Sequence, residues 1–173
     1  MEYVSIEGIP SSGPGVLIRR VAPNADERYV CISPGVQEQW IHWLGHRSGK
    51  CTRKHGPCES CLNGKPRKWR GFVHVWIVGT GKQVVLELTP SAATQLLTTA
   101  NSDDLTGARL YCKRGAGRTA RYTVTVEGWV SRERIKVRPL DCLAVLDAVW
   151  NVGQQKQLDF DGDIPLSQAG EEF

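Results

Sequence analysis

GFVHVWIVGTGKQVVLELT, residues Gly71 to Thr89, places two branched apolar runs on either side of a Gly-rich link, Gly79-Thr80-Gly81-Lys82. Runs of this length and branching around a four-residue glycine turn predict a β-hairpin. With a side-chain period of two, Phe72, His74 and Trp76 share one face of the first strand, and Val73, Val75 and Ile77 share the other. The chain is therefore expected to be built mainly of β-strands around this hairpin.

Working outward, Thr89-Pro90 predicts a helix start, with Thr89 as N-cap, Pro90 in the first turn, Leu96 and Leu97 on the buried side and an end near Asn101. Two more strands follow, ARLYCKR (108–114) and TARYTVTVEGWV (119–130), joined through Gly115-Ala116-Gly117. Upstream, Tyr3 to Ile9, Val16 to Val21 and Arg28 to Ile32 are short branched runs separated by Pro, Gly, Ser and Asn, and predict strands. Val36 to Leu44 predicts one or two helical turns, placing Trp40 and Trp43 three residues apart on one face. Pro139 to Val152 carries Leu140, Leu143, Ala144, Asp147 and Trp150 at spacings of three and four, and predicts a C-terminal helix packed on the sheet. This order of elements matches a five-stranded OB-fold-like barrel carrying an insertion. A zinc ribbon beside an unrelated sheet is the alternative.

The insertion, at about residues 44–69, contains KCTRKHGPCESCLNGKPRKW, Lys50 to Trp69. Cys51, His55, Cys58 and Cys61 form C-x3-H-x2-C-x2-C, and two thiolates of a Cys-x2-Cys turn can face one tetrahedral ion. Zinc is the expected occupant. His42 and His46, just upstream, are alternative ligands in place of His55 or Cys51. Four protein ligands leave no position for water, so the site reads as structural. Unrelated thiols or a disulfide in a surface loop form the competing reading. The other cysteines, Cys31, Cys112 and Cys142, sit in apolar segments where buried reduced thiols are ordinary, so no disulfide framework is expected.

The net charge of +4 conceals a division. Residues 159–173 hold five acids and no base, leaving 22 basic against 13 acidic side chains, or +9, in the preceding 158 residues. A basic body with an acidic tail points to a polyanion partner and a solvated interaction segment. Two stretches concentrate the positive charge. One is the knuckle with Arg53, Lys54, Lys65, Arg67, Lys68 and Arg70 beside Trp69. The other is the second hairpin, with Arg109, Lys113, Arg114, Arg118 and Arg121 around Tyr111 and Tyr122. Lys and Arg neutralise phosphates, and rings such as Trp69, Phe72, His74, Trp76, Tyr111 and Tyr122 offer stacking platforms for unpaired bases. A sheet buried on both faces is the competing expectation for Phe72, His74 and Trp76.

No apolar run approaches the roughly 18 residues of a membrane span, and the first residues lack signal-peptide character, so a soluble cytoplasmic protein is expected. No carboxylate cluster accompanies the histidines, no His-Asn-His constellation appears and no Gly-rich phosphate loop is present, which argues against an enzyme such as a nuclease. The division expected is a nucleic-acid-binding domain over 1–153 and an acidic, disordered tail over 154–173.

DFDGDIPLSQAGEEF, residues 159–173, resembles the acidic tip of bacterial single-stranded DNA-binding proteins through Asp159, Asp161, Asp163, Ile164 and Pro165. It departs from that pattern at Leu166, where the family has phenylalanine, and in the SQAGEEF extension. DLTGARLYCKRGAGRTARYTVTV, residues 104–126, is similar to the last strands of phage-type single-stranded DNA-binding proteins, some of which hold a structural zinc inside an OB fold. The resemblance implies coating of single-stranded DNA in replication, recombination or repair, for a phage or mobile element. It also implies recruitment of partner proteins by Asp159, Phe160, Asp161, Asp163, Ile164 and Pro165; with Leu166 in place of phenylalanine, either the motif is degenerate or Glu171, Glu172 and Phe173 act as the terminal anchor. A zinc-stapled adaptor that contacts RNA or protein within a larger assembly is the alternative.

Overall fold

A computed structural model describes residues 17–45, 48–80, 82–117 and 120–150. The expected strand over Tyr3 to Ile9 and the acidic tail lie outside the described residues, as do His46 and Arg118. In chain order the elements are β1 (Leu17–Arg19), β2 (Ala25–Cys31), β3 (Gln37–Trp43), β4 (Ser48–Lys50), α1 (Glu59–Leu62), β5 (Arg67–Ile77), β6 (Gln83–Leu88), α2 (Pro90–Ala100), β7 (Ala108–Arg114) and β8 (Tyr122–Trp129). A 3-10 turn at Arg132–Arg134 follows, then a helix over residues 142–150, here α3.

The chain is mainly β, and its strands form one mixed sheet in the order β1-β6-β5-β2-β7-β8, with β3 joined to β5 and β4 to β3. The only parallel pairing among the described residues is β1 with β6. No ladder joins β1 to β8 among them. The hairpin read from Gly71 to Thr89 is present, and its first strand is longer than that reading, starting at Arg67. This length lets one strand serve two partners along the same edge. Residues 67–72 pair with β3, residues 75–77 pair with β2, and β6 takes the opposite edge.

Both faces of the sheet are covered in the region of β5 and β6. On one side Val73, Val75, Leu86 and Leu88 pack against Ala92, Ala93 and Leu96 of α2. Each such aliphatic side chain removed from water contributes about 1.5–3 kcal/mol. On the other side Phe72 and Val85 pack against Cys142, Val145 and Leu146 of α3, with Leu140, Leu143 and Trp150 at the margin. Thr89 caps α2 as its chemistry dictates, Oγ1 accepting from the Ala92 amide at 3.3 Å, and Asn101 ends the helix in the left-handed region.

Three expectations are corrected. Val36 to Leu44 is not helical: Gln37–Trp43 is a strand, because its backbone completes the edge of β5 in register Gln37↔Phe72 through His42↔Arg67. Trp40 and Trp43 consequently point to opposite faces. Leu97 is 50% exposed, since α2 buries one narrow stripe through Ala92, Ala93, Leu96 and Ala100. Phe72 and His74 are not an open ring face. They are 1% and 0% exposed, Phe72 beneath α3 and His74 against Leu140 just before it, and of the three rings Trp76, at 36%, is the exposed one. No helix among the described residues is long and apolar enough to cross a membrane.

Candidate metal centre and basic groove

The knuckle hangs between β4 and β5. Its short helix α1 follows Cys58 directly, and the Leu62 and Asn63 amides donate to the Cys58 and Glu59 carbonyls at 3.0 and 2.9 Å. One helical turn carries Cys61 round to the same side as Cys58. Gly64, at φ +70, then turns the chain back into β5. Cys51 is fixed at the end of β4 by its amide, which donates to the Trp40 carbonyl at 2.8 Å.

These constraints bring together His42, Cys51, Cys58 and Cys61, whose ligand atoms all lie within 4.8 Å of one another. His42 Nε2 stands 3.4 Å from the Cys58 sulfur and 3.5 Å from that of Cys61, and the Cys51 and Cys61 sulfurs are 3.7 Å apart. An ion about 2.3 Å from each sulfur and about 2.0 Å from a ring nitrogen requires tetrahedral edges of about 3.8 Å between sulfurs and about 3.5 Å from sulfur to nitrogen. These three edges agree, so the donor set fits a zinc-like tetrahedral ion. A disulfide would hold two sulfurs at about 2.0 Å, and none of these cysteines is so paired. Backbone hydrogen bonds from Cys61 and Thr52 draw the Cys58 thiol down to about 6, which favours the thiolate a metal needs. Burial and its thiol neighbours push Cys61 up to about 11 in the metal-free chain.

The fourth ligand differs from the first choice made on sequence spacing. His55 is exposed on the knuckle loop, with its amide tied to the Thr52 carbonyl at 2.8 Å, and it does not join the group. His42, the upstream alternative, takes its place because β3 presents that side chain toward the thiols. The spacing in sequence is wide, sixteen residues before Cys58, and β-pairing closes it.

Cys31, Cys112 and Cys142 are buried elsewhere, and burial pushes their thiols up to about 12, 12 and 11. They are packing residues.

Beside the knuckle lies a groove of about 520 Å³. Its walls come from the segment after β1, from β3 to β6, from the N-terminus of α2 and from the β7–β8 end of the sheet. Arg20, Lys68, Arg70, Arg114 and Arg121 line it, with Glu87 the single acidic side chain among the lining residues. Trp43, 51% exposed, stands at its wall. The two basic stretches of the sequence thus meet in part: Lys68 and Arg70 of the first face Arg114 and Arg121 of the second.

The other basic positions are placed differently. Arg109, Tyr111 and Lys113 alternate with the buried Ala108, Leu110 and Cys112, so they occupy the outer face of β7. There Arg28 stacks on the Tyr111 ring at 4.9 Å and Tyr111 donates to Asp26 at 3.0 Å. Tyr122 lies at the groove's wall but is only 9% exposed. Arg53, Lys54 and Lys65 are exposed on the knuckle loop. Arg67 covers Trp40 at 4.5 Å, and Trp69 packs on the core while its Nε1 donates to Glu38 at 3.0 Å. One continuous trough of all these groups is therefore replaced by a groove on one side and a separate sheet face on the other. Arg20, Trp43, Ser48 and Glu87 of the groove were not singled out for it by sequence. Only the alternation of Ile41, His42 and Trp43 carried a local signal for any of them.

No protein-family model, curated protein or solved structure matches the chain.

Proposed function

We propose that this chain is a non-catalytic, cytoplasmic, zinc-braced protein with an OB-like arrangement of strands. It binds single-stranded DNA without sequence preference, in the replication, recombination or repair of a phage or mobile element. The observation that carries the reading is the groove. Five basic side chains from three separate stretches of chain converge there, against one carboxylate and beside an exposed tryptophan. Convergent Lys and Arg side chains neutralise backbone phosphates, and an exposed indole stacks an unpaired base. Zinc, held by His42, Cys51, Cys58 and Cys61, serves as a brace that replaces a core in the knuckle. The acidic segment from Asp159 to Phe173, outside the described residues, recruits partner proteins by virtue of its charge.

The test is fluorescence anisotropy with oligo-dT, a duplex of equal length and RNA, across a salt series. About four to five phosphate contacts on a single strand give a slope near −3 in log affinity against log salt. Binding to oligo-dT then falls about fifty- to hundredfold between 50 and 200 mM salt. Equal affinity for duplex and single strand sinks the reading.

A second reading, an adaptor that contacts RNA or protein, is favoured by the outer sheet face. There Trp76 stands opposite Val30, and Arg28 stacks on Tyr111. Preference for structured RNA, or no nucleic-acid binding at all, selects it.

A further inference from the structure

Glu87 lies on β6 at the floor of the groove, 9% exposed, and its two carboxylate oxygens are taken by two different arginines. Arg20 donates Nε to one oxygen at 2.5 Å, and Arg70 donates Nε to the other at 2.8 Å. The outer nitrogens are pinned as well: Arg20 Nη2 donates to Ser48 Oγ at 3.0 Å and Arg70 Nη1 to the Trp69 carbonyl at 2.8 Å. Among the described residues, Arg20 Nη1 and Arg70 Nη2 have no hydrogen-bond partner. Two guanidiniums are thus oriented through one set of nitrogens while, among the described residues, donors of the other set are unpartnered in a basic cavity.

We propose that Arg20 and Arg70, braced by Glu87, form a preorganised subsite for a phosphate group, and that Glu87 is a positioning residue rather than a counter-charge. The proposal rests on the nucleic-acid reading of the groove and deepens it by naming where a phosphodiester sits. Guanidinium groups fixed in a planar fork recognise phosphate more strongly than mobile cations, because less side-chain freedom is lost on binding. The α2 N-terminus, with Thr89 and Ser91 at the same wall, adds a favourable dipole for an anion.

The brace and the counter-charge make opposite predictions for one substitution. Glu87→Gln keeps the shape and removes a negative charge. If Glu87 merely dampened the groove's potential, the variant would bind a polyanion more tightly and with a steeper salt slope. If it positions the fork, binding of oligo-dT weakens about tenfold, the cost of loosening two charge-assisted contacts, and the salt slope becomes shallower by about 1.

The measurement is anisotropy with oligo-dT on the full, metal-loaded chain, with melting temperature and metal content recorded for each variant. An unchanged or tighter affinity in a folded Glu87→Gln protein overturns the proposal. Arg20→Lys and Arg70→Lys keep the charge and lose the fork, and each is expected to bind about fivefold more weakly. Undiminished binding by both overturns the proposal even if Glu87→Gln fails to fold. Inorganic pyrophosphate separates the sources of phosphate. Competition by pyrophosphate that is lost in Arg70→Lys supports the subsite. Wild-type protein that binds pyrophosphate but not oligo-dT leaves the subsite standing and removes the single-strand reading. Oligo-dT binding indifferent to Glu87, Arg20 and Arg70 keeps that reading and removes the subsite.

Discussion

The Leu140 amide donates to Nδ1 of His74 across 3.2 Å, so an imidazole sealed in the sheet is the acceptor for the segment leading into α3. Burial lowers the His74 pKa to about 4, well under the usual value near 6.5. Between those two pH values the unfolded chain binds more protons than the folded one, so stability rises with pH there. The contribution is complete above about pH 6.5, is lost progressively on acidification, and stays lost below about pH 4. Urea melts from pH 7 to pH 4 should show a decline attributable to this residue of up to about 3 kcal/mol. His74→Gln should flatten that part of the profile, and an equally steep decline in the variant contradicts the assignment.

The candidate metal ligands can be separated by substitution. His42→Ala, Cys51→Ala, Cys58→Ala and Cys61→Ala should each lose bound zinc and melt at lower temperature, because binding energy of the ion is folding energy for such a loop. His55→Ala should retain about one zinc per chain by elemental analysis, since its side chain is exposed and outside the cluster. Chelator should lower the melting temperature of wild type and His55→Ala equally.

Two adjacent leucines on α2 should behave unlike one another. Leu96→Ala opens a cavity in the main core and should cost about 2–5 kcal/mol. Leu97→Ala, half exposed, should stay within about 0.5 kcal/mol of wild type in the same denaturant melts.

Gly107 has φ +92, and a Cβ there would lie 2.4 Å from the Val130 carbonyl oxygen. The two residues are also joined in the other direction, the Val130 amide donating to the Gly107 carbonyl at 2.8 Å. Gly107→Ala combines a strained dihedral with a backbone clash and should destabilise by about 2–4 kcal/mol, measured by thermal unfolding.

The division of basic residues between two surfaces predicts a division in salt dependence. Lys68→Ala and Arg121→Ala, in the groove, should each weaken oligo-dT binding and make the salt slope shallower by about 1. Arg109→Ala and Lys113→Ala, on the outer face of β7, should leave both nearly unchanged. Trp43→Ala should cost about 1–3 kcal/mol of affinity if a base stacks on it.

Local chemistry was legible wherever a few consecutive residues decide the outcome. The Gly-turn hairpin, the Thr89-Pro90 helix start and the strands over 108–114 and 122–129 follow from turn residues, capping and period-two patterning. What escaped was set by partners distant in the chain. Gln37–Trp43 has apolar residues that suit a helix or a strand, and the free edge of β5 settled the choice. Phe72 and His74 could not be known to be covered, because what covers them, Leu140 and the side chains of α3, arrives some seventy residues later. His55 lay nearer in sequence than His42, but strand pairing rather than spacing delivers the fourth donor of the candidate metal cluster. Arg20 and Glu87 are unremarkable in their own segments and acquire meaning only where β1 and β6 run side by side.

Along β3, His42 turns to the thiols while Ile41 and Trp43 turn to the groove. Parity alone separates the two roles. Loss or gain of one codon between positions 37 and 43 would transpose them, sending an indole toward the cysteines and an imidazole toward the arginines. A shift of two keeps the parity but brings Trp40 or Leu44 to the place of His42, so an ion held there would fix this strand to a single register.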